Sequence, residues 1–311
     1  MSNLNDKNVG ILCGGWSDER EVSLDSGKTA YKSLKGNNIN AFLFDYKKDD
    51  IDILKDFIKY KRIDIVLNLI HGIGGEDGHV QDYLDRLGVK YIGSNAKSSS
   101  ISFNKVLTKE VWIRNNLDTP RYLPLSNDIT LSDIEKISND KFILKPVESG
   151  SSVGIKIFNI DDFRLHKSSE ILDKLLLKNI DSKNYFIEEF INAAEYTAPI
   201  INGHVFPIIK IETKREFYNY KAKYIDKDTI FSFPDLPNKI LHKINLTCMK
   251  AFNSLGCSDW GRVDFFMNDK YSINLIEINS IPGMTSHSLV PKSAKKNGIS
   301  YYELLLLLLK N

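Results

Sequence analysis

The chain has 311 residues, 42% of them hydrophobic and 26% charged, and its 42 basic and 40 acidic residues leave a net charge of +2. That length exceeds one typical core, so two or three domains are expected. The near balance of charge, with no long block of Lys and Arg, excludes the clustered basic footprint of a nucleic-acid binder.

Residues 1–7 are polar and carry no apolar signal core. Residues 9–13 form a short apolar run that reads as a strand and ends in Gly14-Gly15. A helical pattern over 22–34, a strand at 41–45, a helix at 51–59 and a continuously apolar strand at 63–69 follow. Strands alternating with helices predict an α/β beginning with a parallel sheet, in which ligands sit beyond the carboxyl ends of the strands. Two polar clusters lie at such ends, residues 14–21 and 71–78.

Further on, the pattern predicts one helix over 102–115, strands at 141–146 and 155–158, a glycine-serine turn at 150–154 and a helix over 169–177. A strand at 185–190 ends in acids, and residues 196–211 read mostly as β, making the chain α+β overall. The polar stretch 214–238 lacks periodicity; so long a connection is a lid or disordered. A helix at 240–255 precedes two apolar segments, and the leucine run 304–309 is too short to span a bilayer and reads as a docking helix. No membrane or nucleic-acid partner is expected. Cys13, Cys248 and Cys257 show no metal spacing and no even pairing, which fits a reducing cytoplasm.

The two apolar segments near the end hold the densest chemistry: Gly261-Arg262-Val263-Asp264-Phe265 and Leu275-Ile276-Glu277-Ile278-Asn279. In strands, Arg262 and Asp264 share one face, and Glu277 and Asn279 share one face. Paired as a hairpin, they bring three oxygen-bearing side chains and a guanidinium to one patch, a donor set suited to Mg²⁺ with substrate phosphates. The alternative is a hairpin with a solvated polar face.

Lys145-Pro146-Val147-Glu148-Ser149-Gly150-Ser151-Ser152-Val153-Gly154 places a lysine before a loop whose N–H groups and hydroxyls can wrap phosphate oxygens. It is no Walker loop, because a strand follows and the lysine precedes the glycines; a polar hairpin tip is the other reading. Glu188, Glu189, Phe190 and Ile191 end a strand and Glu195 follows, which strand-end solvation alone can explain; if a nucleotide lies beside the Lys145 strand, the backbone of 189–191 could read its adenine edge and Glu195 could accept from ribose hydroxyls. His71 opens a glycine-rich cluster where it could meet a substrate carboxylate, the alternative being a structural histidine. Ser23 could be an N-cap. The segment Tyr218 to Tyr224 mixes aromatic and Lys residues, which suits either a water-excluding lid or a solvated loop.

Together these segments resemble the D-alanine–D-alanine ligases of the ATP-grasp superfamily. The matching motifs are Gly14-Gly15 with Glu19-Arg20-Glu21-Val22-Ser23-Leu24; His71-Gly72 with Gly75-Glu76-Asp77-Gly78; Lys145-Pro146 with Gly150 to Gly154; Tyr220 with Ala222-Lys223-Tyr224; and Arg262 through Leu289. They run in the family's order over nearly the whole chain.

The resemblance implies an ATP-grasp fold with an N-terminal parallel-sheet, Rossmann-like substrate domain (1–95), a central subdomain (96–190) and a C-terminal subdomain with the lid and metal site (191–311). It implies that ATP phosphorylates the carboxylate of one D-alanine and that a second D-alanine's amine attacks the acyl phosphate, giving a peptidoglycan precursor. Two Mg²⁺ (or Mn²⁺) ions would be held by Asp264, Glu277 and Asn279. Arg262 and the Gly283 N–H would stabilise the transferring phosphoryl group and the oxyanion. Lys105, Lys145 and Lys223 would contact ATP phosphates along with Ser151 and Ser152. Glu188 and Glu195 would face adenine and ribose, with Glu189, Phe190 and Ile191 lining the base. Glu19 would meet the first substrate's ammonium and His71 its carboxylate, while Ser288, Leu289 and Arg262 would receive the second carboxylate. Glu19, Ser151 and Tyr224 match three residues that hydrogen-bond across the closed lid.

Relatives that use D-lactate tend to carry His where this chain has Tyr224, which favours an amine nucleophile. The family commonly forms homodimers through the N-terminal domain. Trp16, Asp82, Asn104, Ala193-Ala194 and Asn219 depart from the usual pattern, and none is a metal ligand. The alternatives are an ATP-grasp ligase for another D-amino acid or a non-catalytic ATP-binding relative.

Overall fold

In the computed structural model, which describes residues 4–48, 50–151, 153–166, 168–175, 181–215 and 228–310, the alternating pattern of the first hundred residues folds as a parallel sheet. Its elements are β1 (Asn8–Gly14), α1 (Arg20–Gly36), β2 (Asn40–Tyr46), α2 (Ile51–Lys61), β3 (Ile65–Asn68), α3 (His79–Leu87) and β4 (Lys90–Ile92), with strand order β2-β1-β3-β4. β1 and β3 are buried almost throughout, which is why both read as unbroken apolar runs rather than alternating ones. α3 and β4 were not expected from the pattern. The helix starts directly after the glycine cluster and is only nine residues long, so little periodicity accumulates.

The single helix expected over 102–115 is two helices, α4 (Ala96–Phe103) and α5 (Lys105–Arg114). Asn104 breaks them: its backbone is extended (φ −86°, ψ 102°), and its side chain accepts from the Leu107 N–H as an N-cap. Asparagine competes for backbone donors in this way, which favours a cap over a helix interior.

A second, antiparallel sheet comprises β5 (Tyr122–Pro124), β6 (Lys141–Pro146), β7 (Lys156–Asn159) and β8 (Tyr185–Glu189) in the order β5-β8-β6-β7, flanked by α6 (Leu131–Glu135) and α7 (Ser168–Leu175). The third sheet runs β12-β11-β9-β13-β14, with β10 on β9. Its strands are β9 (Ala194–Ile201), β10 (His204–Val205), β11 (Ile209–Glu212), β12 (Ile230–Ser232), β13 (Trp260–Met267) and β14 (Ile273–Asn279), with α8 (Asn238–Ser254) between β12 and β13. β12 lies inside the stretch expected to lack regular structure; it pairs with β11 at the sheet edge. The proposed lid residues Tyr218 to Tyr224 lie outside the described residues, as does Ser152.

The chain ends in α9 (Leu289–Lys296) and α10 (Tyr301–Leu309). Ser300 and Glu303 form a capping box at the start of α10. The leucine run then packs Leu304, Leu305, Leu308 and Leu309 into one core with Val9, Ile11, Ile65 and Leu67 of the first sheet and Trp260 of the third. The last helix thus closes a sheet built from the first residues, which fixes the third sheet against the first. No helix among the described residues is long and apolar enough to cross a membrane.

Leu308 is fully enclosed in this core. Leu308→Ala should lower unfolding free energy by about 2–5 kcal/mol, read by denaturant titration. Leu165→Ala, at a residue 97% exposed, should stay within about 0.5 kcal/mol of the parent protein in the same measurement.

Candidate functional site

The β13–β14 hairpin pairs Arg262 with Asn279 and Asp264 with Glu277, and a bulge follows Asp264. Val263, Phe265 and Ile278 turn into the core beneath α8, so the polar residues take the opposite face. The Arg262 Nε donates to Asp264 Oδ1 at 2.8 Å and its Nη2 to Oδ2 at 2.7 Å. This fork is nearly buried, so the pairing offsets the cost of desolvating either charge alone. Among the described residues the buried Asn279 Oδ1 has no hydrogen-bond partner. An orphaned carbonyl beside two carboxylates fits a hard cation that takes its remaining ligands from water or phosphate. Among the described residues no group of three His, Cys, Asp or Glu forms a self-sufficient metal site.

Lys105, the first residue of α5, reaches this patch. Its Nζ lies 3.7 Å from Glu277 Oε2 and donates to the Ser149 carbonyl at 2.6 Å. Its backbone N–H donates to the Val147 carbonyl at 3.0 Å. Asn104 donates through Nδ2 to Glu148 Oε1 at 2.8 Å, a bond that an Asp at this position could not supply. The loop after β6 is therefore tied to the start of α5.

The same loop touches the first sheet. Ser151 Oγ donates to Glu19 Oε1, and Ser151 holds a left-handed backbone at φ 50°, a strained setting of the kind found at functional sites. Gly150 permits the approach, since a Cβ there would lie 2.0 Å from Glu19 Oε2. Glu19 stands just before α1 and makes no side-chain cap. Ser23 is no cap either; it is buried, accepts from the Gly14 N–H at 2.8 Å and donates to the Leu69 carbonyl at 2.7 Å.

His71 is buried at the end of β3. Its Nδ1 bonds the Ile281 carbonyl at 2.9 Å and its Nε2 meets Ser26 Oγ at 3.3 Å, with Glu76 Oε1 at 3.8 Å from Nδ1. Burial pushes the imidazole down, but the Glu76 bond, the Glu19 charge and the Ile281 carbonyl outweigh it and leave the His71 pKa above the ordinary value. Burial likewise raises the Glu76 carboxyl, aided by Glu19. Ser26 Oγ also accepts from the Met284 N–H at 3.1 Å. Gly283 thus lies between two residues anchored to the first sheet. A Cβ at Gly283 would lie 2.8 Å from Ser288 Oγ, which accepts from the Thr285 N–H at 3.0 Å. Leu289 packs with Ile209 and Ile211.

On the second sheet, Glu188 takes the Lys145 ammonium on one oxygen. The Lys109 Nζ lies 2.6 Å from the other, a charge contact rather than a directed hydrogen bond. Burial pushes Glu188 up, but the two ammonium groups outweigh it and hold its pKa below the usual range. Glu189 faces outward in a bidentate pair with Arg121 (3.0 and 2.9 Å), and its N–H donates to the Arg121 carbonyl at 2.9 Å. The Phe190 N–H donates to the Lys141 carbonyl, and Ile191 leads into β9. Glu195 sits in β9 opposite Phe266 and Ile211. The structure thus groups Glu19 with Ser151, Lys105 with Glu277, Arg262 with Asp264, and Lys145 with Glu188. Lys223, Tyr224 and Ser152 lie outside the described residues. Sequence reasoning missed Lys109. Its signal was a lysine on the helix face that also carries Thr108 and Trp112, both buried.

Residues 124–310, more than half of the chain, match the family described as D-ala D-ala ligase C-terminus. The chain is 36% identical over 301 residues to D-alanine–D-alanine ligase B of Chromobacterium violaceum, covering 96% of this chain and 95% of that one. A crystal structure of D-alanine–D-alanine ligase from Bacillus anthracis superposes with a TM-score of 0.81 at 32% identity, covering 98% of this chain and 96% of that one. Another, of that enzyme complexed with ATP, gives 0.80 at 29% identity with the same coverage. The three sheets are those of the ATP-grasp fold expected from the motifs. The chain belongs to the D-alanine–D-alanine ligase family.

Proposed function

We propose that the protein joins two D-alanine molecules into D-alanyl-D-alanine with cleavage of ATP to ADP and phosphate, supplying a peptidoglycan precursor. The observation that carries this reading is the hairpin register, which sets Arg262 and Asp264 against Asn279 and Glu277 with an orphaned Asn279 Oδ1. That ATP is bound by the structurally similar Bacillus anthracis enzyme supports it.

Asp264, Glu277 and Asn279 would hold two Mg²⁺ (or Mn²⁺) ions, which when bound neutralise the triphosphate and the charge of phosphoryl transfer. Lys105 and Lys145, Ser151 and Ser152 of the loop, and Lys223 of the lid would hold the phosphates. Glu189 to Ile191 and Glu195 would take the adenosine, with Glu188 acting there through Lys145, because its two carboxylate oxygens already meet Lys145 and Lys109. Glu19 would bind the first D-alanine's ammonium. His71 would act on its carboxylate chiefly through charge, because its ring nitrogens already meet Ser26 and Ile281.

The carboxylate oxygen takes the γ-phosphoryl group and ADP leaves. The second D-alanine, its carboxylate held by Ser288, Leu289 and Arg262, attacks the carbonyl carbon with its free amine. The tetrahedral oxyanion is met by Arg262 and the Gly283 N–H, donors fixed before reaction and so costing no reorganisation. The C–O bond to phosphate then breaks, and the nitrogen's extra proton goes to the departing phosphate. Glu19, Ser151 and Tyr224 would close the lid over these steps. We place the protein in the cytoplasm, consistent with three buried free thiols, and as a homodimer.

Phosphate release from ATP and Mg²⁺ should require D-alanine. Release only with other D-amino acids would favour the alternative ligase, and none with any amino acid would favour a non-catalytic relative. Arg262→Ala should lower kcat by about 10²–10³ while changing the Kd for ADP by less than about tenfold; equal losses would contradict its assignment to the transition state. Ser151→Gly removes the hydroxyl and relieves the left-handed backbone. It should cut kcat/KM by about tenfold or more with no drop in melting temperature.

A further inference from the structure

Lys109 has no part in the roles assigned so far, yet it is fully enclosed on α5. An enclosed ammonium is costly unless paired. Its Nζ meets Glu188 at 2.6 Å, donates to Thr119 Oγ1 at 2.6 Å and donates to the Pro120 carbonyl at 3.2 Å. The carboxylate it meets already holds Lys145 on its other oxygen. One lysine would leave a neutral pair; two leave the trio with a net positive charge. Among the three side chains only Lys145 keeps more than 1% exposure, at 8%. It stands at the end of β6, where the Ser149 to Ser151 loop begins.

We propose that Lys109 is a positioning residue for the nucleotide, holding Glu188 from behind so that Lys145 presents the trio's positive charge to the phosphates of a nucleoside di- or triphosphate. The inference rests on the ATP reading above. Were Lys109 neutral or absent, Lys145 would be the sole counter-charge of Glu188 and would be held there.

The charged groups facing Lys109 are Glu188 from β8 and Lys145 from β6. β5 contributes the Tyr122 ring, 5.5 Å from Nζ, whose phenol burial holds above its ordinary value. Burial lowers the Lys109 pKa, Glu188 opposes this and Lys145 adds to it, leaving it at about 8. As pH rises through that value the trio loses its net charge, so nucleotide affinity should fall.

The test is calorimetric titration with ADP and Mg²⁺ from about pH 6.5 to 9.5, on the parent protein, Lys109→Met and Lys109→Arg. The parent should lose about tenfold in affinity across the range. Lys109→Met should bind about tenfold more weakly near neutral pH and show no step. Lys109→Arg should keep tight binding throughout, because a guanidinium does not deprotonate there. A lysine serving only stability would lower the melting temperature of Lys109→Met and leave affinity and its pH step intact, which overturns the proposal. A parent profile flat in pH overturns it too, even if Lys109→Met does not fold. Absence of ADP binding by the parent near neutral pH would overturn the ATP reading itself, and the role of Lys109 with it.

Discussion

The fork between Arg262 and Asp264 is the contact on which the rest of the site depends. The two residues are next-but-one neighbours on β13, so the strand's alternation alone puts them on one face. Neither charge is stable alone where it lies; paired, each satisfies the other's directed hydrogen bonds. The pair lies across the strand from Glu277 and Asn279, and the bulge after Asp264 ends the regular register. A bulge next to a functional patch bends the strand and re-aims its side chains. Among the described residues the Asn279 carbonyl oxygen is left there without a partner, as an acceptor that the proposed metal ions would use.

Around this hairpin the three sheets are joined by a few polar contacts of long sequence separation. Ser151 of the second sheet's loop reaches Glu19 of the first. His71 and Ser26 of the first unit hold the backbone of Ile281 and Met284, on either side of Gly283. Lys105 links the loop to Glu277 of the third sheet. Directed bonds of this kind fix orientation more than they add stability, since each replaces a bond to water. The stability comes from beneath, where α10 buries its leucines against β1 and β3. Apolar packing therefore decides that the sheets meet, and the polar contacts decide in which geometry.

Much of this was legible in order along the chain. β1 announces itself as an unbroken apolar run and α1 and α2 by their helical period, and the hairpin's polar faces follow from counting by twos. The misses have local causes. Asn104 turns a helical pattern into two helices because its side chain outcompetes the helix for a donor. α3 and β4 are too short for their periods to show. β12 has three residues and gains its strand character from pairing with β11. His71 looked like an open ligand; it is buried because the Ile281 loop, 210 residues later, folds over it.

The sequence by itself determined the alternation of strands and helices, the face on which each hairpin charge stands, and the family to which the motifs belong. These are properties of neighbours along the chain, carried by fixed backbone periods. Only the tertiary structure decided that Lys109 and Lys145 share Glu188, that Ser151 meets Glu19, and that the last helix seals the first sheet. Such pairings join residues tens to hundreds of positions apart. A single chain carries no local signal for them, because their partners are chosen by packing and by the cost of leaving a buried charge alone.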